Sequence, residues 1–344
     1  MNQALKHTQQ QADDKWVALA QSLANMSLLL VLVVVLMGGW TRINDAGLSC
    51  PDWPGCFGQL TVPSTQQELN TAADKFPAIL VEQDKSWLEM IHRYLAGSLG
   101  LLILAMAVIA IKQRQQKNYP VKLSITLLVL VVFQALLGMW TVTLKLLPII
   151  VTAHLFGGLL TMVLLIIVRR KIHQISTSEY QWNRYSKALA LGLFLLVLQI
   201  LLGGWTSSNY AGWGCSDWVG CNPTVELDYN YTGAFKVTFD SSISHQGGTL
   251  QLAERGAIQI VHRLGAAVVL LYFAALILLY KKQEQRRALL LLTLLFLAQI
   301  GVGLMNIAFA IPTLLAMLHH VLAVFILMIT TLMLANSFHR VERD

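Results

Sequence analysis

Eight stretches of this chain stay apolar for about 20 residues, long enough to cross a bilayer as helices rising about 1.5 Å per residue. They occupy 24–42, 88–111, 122–144, 148–168, 187–206, 257–280, 288–309 and 312–335. Only 12% of the residues are charged and 56% are hydrophobic, whereas soluble domains carry about 25% charged residues. Lipid is therefore the main solvent, and in lipid a helix satisfies all its own backbone groups. The expected fold class is an all-α polytopic membrane protein with eight transmembrane helices. The first span lacks a cationic leader and a small-residue cleavage site, so it is read as a membrane span rather than a signal peptide.

The formal charge of +7 is informative by position. Lys112, Arg114, Lys117 and Lys122 separate spans two and three. Arg169, Arg170, Lys171, Arg184 and Lys187 separate four and five, and Lys281, Lys282, Arg286 and Arg287 separate six and seven. The opposite loops hold few cations. Because basic loops face the cytoplasm, both termini are expected inside and the loops 43–86 and 207–256 outside. The cations are thus a topology signal, and no nucleic-acid partner is expected. The amino-terminal tail has two acids and no arginine, unlike a mitochondrial transit peptide, which favours a bacterial inner membrane.

A repeat at an offset of 165 residues sets the internal organisation. "GGWTRINDAGLSC" at 38–50 aligns with "GGWTSSNYAGWGC" at 203–215, Gln134 with Gln299, Gly138 with Gly303 and His154 with His319. "IHR" at 91–93 matches "VHR" at 261–263 after a five-residue shift. Four spans return the chain to its starting side, so the expectation is two tandem four-helix bundles related by internal pseudo-twofold symmetry. The halves run 24–168 and 187–338, with a linker at 169–186 and tails at 1–23 and 339–344.

His92, His154, His262 and His319 fall within the even-numbered spans. Counted from the outside ends, all four lie about 7–12 Å below the hydrocarbon boundary. Intramembrane ionisable groups are functional candidates, and two imidazoles at matched depth on facing helices suit the two axial positions of a haem iron. Gly97, Gly157, Gly158, Gly265, Ala266 and Ala323 are expected to leave room for the macrocycle. The repeat selects His319 over His320, because Gln134 to His154 and Gln299 to His319 are the same interval.

The halves differ in polar residues. Glu89 precedes His92 by three residues, on the same helical face, whereas Gln259 precedes His262. A carboxyl beside the first pair could exchange protons, so the first half is expected to do chemistry and the second to carry electrons. Arg93 and Arg263 follow the histidines and suit haem propionates or lipid headgroups. The four cysteines, paired as Cys50–Cys56 and Cys215–Cys221, lie in the outside loops. Structural staples, redox pairs and a two-thiolate metal site all remain open for them. Asp52, Trp53, Asp217 and Trp218 in the same loops would form lids or interfacial anchors.

These residues, "EMIHR" at 89–93, "VHR" at 261–263, the histidines of spans four and eight and the paired outside cysteines, resemble the haem A synthases over roughly residues 24–335. The resemblance implies an oxidoreductase that oxidises the C8 methyl group of haem O to a formyl group, giving haem A for haem–copper oxidases. It implies haem O between His92 and His154, a haem b cofactor between His262 and His319, Glu89 in the reaction, and haem O synthase as donor of the substrate. The electron acceptor and a homo-oligomeric state are left open. Rival readings are a di-haem b-type cytochrome that oxidises quinol and a haem transporter.

Overall fold

A computed structural model describes residues 2–174, 179–217, 221–222, 228–237 and 240–341. Trp218, expected in the second cysteine loop, lies outside the described residues, as do 342–344 of the tail. The membrane helices are α1 (Asn2–Ile43), α3 (Gln83–Lys112), α4 (Val121–Thr143), α5 (Pro148–His173), α6 (Arg184–Ser208), α8 (Leu252–Leu279), α9 (Gln283–Ala308) and α10 (Thr313–Ser337). All eight are long and apolar enough to cross a membrane, and the chain is a multi-pass membrane protein. Large side chains such as Leu29, Leu101, Leu271 and Leu278 are exposed on their outer faces, which suits contact with lipid tails. Hydroxyls inside the helices are satisfied one turn back, as in Thr161 to Gly157 O and Thr331 to Leu327 O, both 2.8 Å. Residues 179–181 and 339–341 form a short antiparallel ladder.

The amino-terminal segment is helical, with α1 running back from span one to Asn2. The loop 43–86 also contains a helix, α2 (Gln66–Lys75). Thr65 caps it, and Glu68 returns its carboxylate to the Thr65 N–H at 2.8 Å. A four-residue α7 (Tyr231–Ala234) lies in the other long loop.

Proline and left-handed residues turn the chain sharply between α4 and α5 and between α9 and α10. Lys145 and Leu146 have φ of 50° and 61°, and Ala310 and Ile311, each 165 residues later, have 57° and 56°. The closing hydrogen bonds repeat as well: Leu146 N to Thr141 O at 2.8 Å, and Ile311 N to Asn306 O at 2.6 Å. Bulky side chains rarely adopt this backbone region, so its recurrence at one offset supports the duplication read from sequence.

Within the first half α1 packs on α3 and α5; within the second α6 packs on α8 and α10. The halves meet through α1 against α10 and α5 against α6, a reciprocal exchange of equivalent helices. Repeat mates touch at this seam. Tyr210 donates to Asp45 Oδ1 at 2.7 Å, and Arg42 donates to Ser207 O at 2.5 Å. His245, given no role by the sequence, is buried and fastens the loop between α6 and α8 to the first half through its backbone N–H to Lys145 O at 3.0 Å.

Candidate functional site

His92 on α3 and His154 on α5 face each other with ring centres 6.4 Å apart and planes 87° apart. Metal–imidazole bonds are about 2.0 Å, which puts two rings on opposite sides of one iron about 6 Å centre to centre. The observed separation fits that arrangement. His262 on α8 and His319 on α10 hold the corresponding places in the second half. Among the described residues no three His, Cys, Asp or Glu side chains converge on one point. Each centre thus offers two imidazoles, a donor set that suits iron whose other four ligands come from a porphyrin.

A glycine backs each ring. A Cβ on Gly38 would come 2.9 Å from His92 Cε1, and one on Gly203 would come 3.2 Å from His262 Cε1. Gly138 and Gly303 stand in the same relation to His154 and His319, at 3.3 and 3.1 Å. These four positions form two pairs at the 165-residue offset, so the first glycine of each "GGWT" is explained by the imidazole it admits. Of the glycines expected to make room for a macrocycle, only Gly97 has open space beside it. Gly157 and Gly158 pack against Gln134, and Gly265 packs against Gln199. They accommodate amides, which is a correction to the sequence reading.

Those amides grip the histidine helices. Gln134 donates to His154 O at 2.9 Å and Gln299 to His319 O at 3.0 Å. The Nδ1 atoms of His92, His154 and His319 are buried without a hydrogen-bond partner. His262 differs, because Gln199 Nε2 lies 3.1 Å from its Nδ1. The sequence reading passed over Gln199, although an amide inside an apolar span opposite Val34 in the repeat was a usable signal. His320 reaches Val35 O at 3.1 Å across the seam, against Gly39. Its repeat mate Leu155 fills the matching place against Gly204.

Glu89 is buried on α3, and its carboxylate is held from two sides. Cys50 N–H donates to Oε2 at 2.9 Å, and Arg93 pairs with Oε1 at 2.5 Å. Arg93 also donates to the carbonyls of Asp52 (2.9 Å), Pro54 (3.2 Å) and Gly55. The arginine fork therefore joins the acid to the Cys50–Cys56 loop, where the sequence suggested propionate or headgroup contacts. Arg263 repeats one of these bonds, to Asp217 O at 3.1 Å. Gln259, in the place of Glu89, donates to Gly212 O at 3.2 Å. Cys50 is disulfide-bonded to Cys56 and Cys215 to Cys221, and all four cysteines are buried.

The arrangement is two repeat-related two-imidazole centres under disulfide loops, one with a carboxylate and one with an amide beside it. Relatives share most of the chain that builds it. A protein of Shewanella oneidensis named "Heme A synthase" is 42% identical over 248 residues, 72% of this chain and 74% of that protein. One of the same name from Neorickettsia sennetsu is 28% identical over 320 residues, 87% of this chain and 93% of that protein. The family model COX15-CtaA, described as cytochrome oxidase assembly protein, matches residues 21–331. That span takes in all four histidines, and the chain belongs to the COX15-CtaA family of cytochrome oxidase assembly proteins.

Proposed function

We propose that this chain is a haem A synthase, an oxidoreductase that converts the C8 methyl group of haem O to a formyl group. The observation that carries the reading is the inequality of the two halves: Glu89, one helical turn before His92, is buried and fixed against the Cys50–Cys56 loop, and Gln259 holds the corresponding place before His262. Family membership and the names of the relatives support it. A plain electron carrier has no use for a buried acid in one half alone.

In this reading His92 and His154 hold the substrate haem O, and His262 and His319 hold a haem b cofactor. The bound haem supplies the redox chemistry at the methyl carbon. Glu89, clamped by a charge-assisted bond from Arg93 and by the Cys50 N–H, keeps one carboxylate at a defined place one helical turn from His92. It takes or returns a proton there without swinging away. Arg93 and Arg263 tie the loop of each half to its first histidine helix. The chain sits in a bacterial inner membrane with both termini cytoplasmic, and haem O synthase hands over the substrate within the bilayer.

The test is to express the chain with haem O synthase in a host that makes no haem A and to analyse the extracted haems. Haem A in the extract is the expected result. Haem O that is bound but unconverted would overturn the reading and leave a di-haem electron carrier in its place.

A further inference from the structure

At the end of the bundle away from the disulfide loops, the start of α4 and the last turn of α5 line an open cleft of about 380 Å³. Its walls are Tyr119, Pro120, Val121, Lys122, Leu123 and Lys171. Tyr119 is only 8% exposed, and among the described residues its hydroxyl is buried with no hydrogen-bond partner. A buried hydroxyl left unpaired is costly, and an incoming acceptor oxygen removes that cost.

The other groups of the cleft favour an acceptor that is negatively charged. Pro120, at the N-cap of α4, has no N–H and makes no side-chain cap. The Val121 N–H turns back to Tyr119 O at 2.8 Å. The first-turn N–H groups of Lys122 and Leu123 are left at the positive end of the helix dipole, where anions bind. The side chains of Lys122 and Lys171 are exposed at the same cleft. Neighbouring cations are engaged by protein: Lys112 lies 4.5 Å over the Trp16 ring, and Arg169 donates to Asn25 Oδ1 at 2.5 Å.

The second half does not repeat this chemistry. At the 165-residue offset Glu284 stands for Tyr119, Arg287 for Lys122 and Asn336 for Lys171. An acid there repels an anion, and the Asn336 amide already accepts from Arg170.

We propose that the cleft binds the phosphodiester of an anionic phospholipid. The Tyr119 hydroxyl, the α4 N–H groups and the two ammonium groups meet the phosphate oxygens. Pro120, Val121 and Leu123 meet the carbons beside them, which a free phosphate lacks. Lipid is also at hand, because the outer face of α4 exposes Val129 and Val132, and basic clefts between membrane helices suit such headgroups. The bound lipid ties the start of α4 to the end of α5, the helix that carries His154. The proposal is independent of the reaction assigned to the two centres.

The test uses purified full-length protein in detergent, with bound lipid counted by native mass spectrometry and unfolding followed with temperature. Phosphatidylglycerol is expected to bind and to raise the unfolding temperature; phosphatidylcholine and inorganic phosphate at the same concentration are not. Lys122→Gln with Lys171→Asn is expected to weaken phosphatidylglycerol binding about 25-fold, a factor of about 5 for each surface cation. Tyr119→Phe is expected to weaken it about 5-fold. Without lipid Tyr119→Phe should unfold no lower than the wild type, since it removes an unpaired hydroxyl, a pattern that misfolding cannot imitate. Arg287→Gln, the second-half counterpart, should leave binding unchanged.

Equal retention of phosphatidylcholine, equal stabilisation by inorganic phosphate, or unchanged binding in the double lysine variant would overturn the proposal.

Discussion

Arg93 and Glu89 form an ion pair of 2.5 Å, and the same arginine donates to three carbonyls of the Cys50–Cys56 loop. Both side chains are largely buried, at 12% and 6% exposure. Removing one partner of such a pair strands the other charge and costs about 3 kcal/mol. Arg93→Ala is therefore expected to destabilise the first half by about that amount and to abolish haem A formation. Arg93→Lys keeps a charge near Glu89 but not the fork that spans three carbonyls. It should fall between Ala and wild type in thermal unfolding and in extracted haem A.

Glu89→Gln keeps the size of the side chain and removes its proton-accepting oxygen pair. Haem A production is expected to drop by about 100-fold or more, the usual scale for a lost proton-transfer group. Total haem bound should stay the same, because His92 and His154 are untouched. Extracted haem analysis gives both quantities from one sample, and full conversion by Glu89→Gln would remove the acid from the mechanism.

How much of this was readable beforehand differs between the histidines and their surroundings. The membrane helices are apolar on all faces, so no stripe marks which face packs inward. Pairing of His92 with His154 was nevertheless legible, because depth and the 165-residue repeat restrict the choices. The glycines behind the rings were visible only as repeated letters, since their reason is a contact between helices that sequence does not order. Gln199 was missed for the same cause. Helix α2 carries its own signal in the capping box of Thr65 and Glu68, which hydropathy does not register. His245 needed the fold outright, since its role depends on Lys145 in the other half.

Gly38 and Gly203 predict half-specific effects. A Cβ at Gly38 would press on His92 at 2.9 Å, and one at Gly203 on His262 at 3.2 Å. Overpacking of this kind costs about 1–3 kcal/mol. Gly38→Ala is expected to lower haem A formation while the second-half haem keeps its spectrum and potential. Gly203→Ala is expected to alter that spectrum directly, and the reverse pattern would contradict the assignment of the halves.

His319 and His320 are neighbours with different surroundings. His319 sits over Gly303 with its Nδ1 unpartnered, whereas His320 bonds to Val35 O across the seam. His319→Ala is expected to remove the two-imidazole spectrum of the second half and lower haem content by about one per chain, as loss of an axial ligand does. His320→Ala should leave the spectrum in place and loosen the packing of α1 on α10, seen as a lower unfolding temperature. Loss of haem from His320→Ala alone would reverse the ligand choice.

Glu68 supplies a pH dependence confined to the loop between α1 and α3. Hydrogen bonds from the Thr65 and Ser64 N–H groups hold its carboxyl at about 2, well below the ordinary 4.5. A depressed carboxyl stabilises the folded form above the unfolded value, and that contribution is lost as pH falls through the folded one. The cap on α2 is thus fully effective above about pH 4.5 and disappears between there and about pH 2. Amide hydrogen exchange across Gln66–Lys75 should accelerate in that window beyond the intrinsic pH effect, and Glu68→Gln should exchange at one pH-corrected rate throughout. The histidine helices are fixed by glycine and amide contacts far from this cap, so the haem spectrum of either protein should not follow the transition.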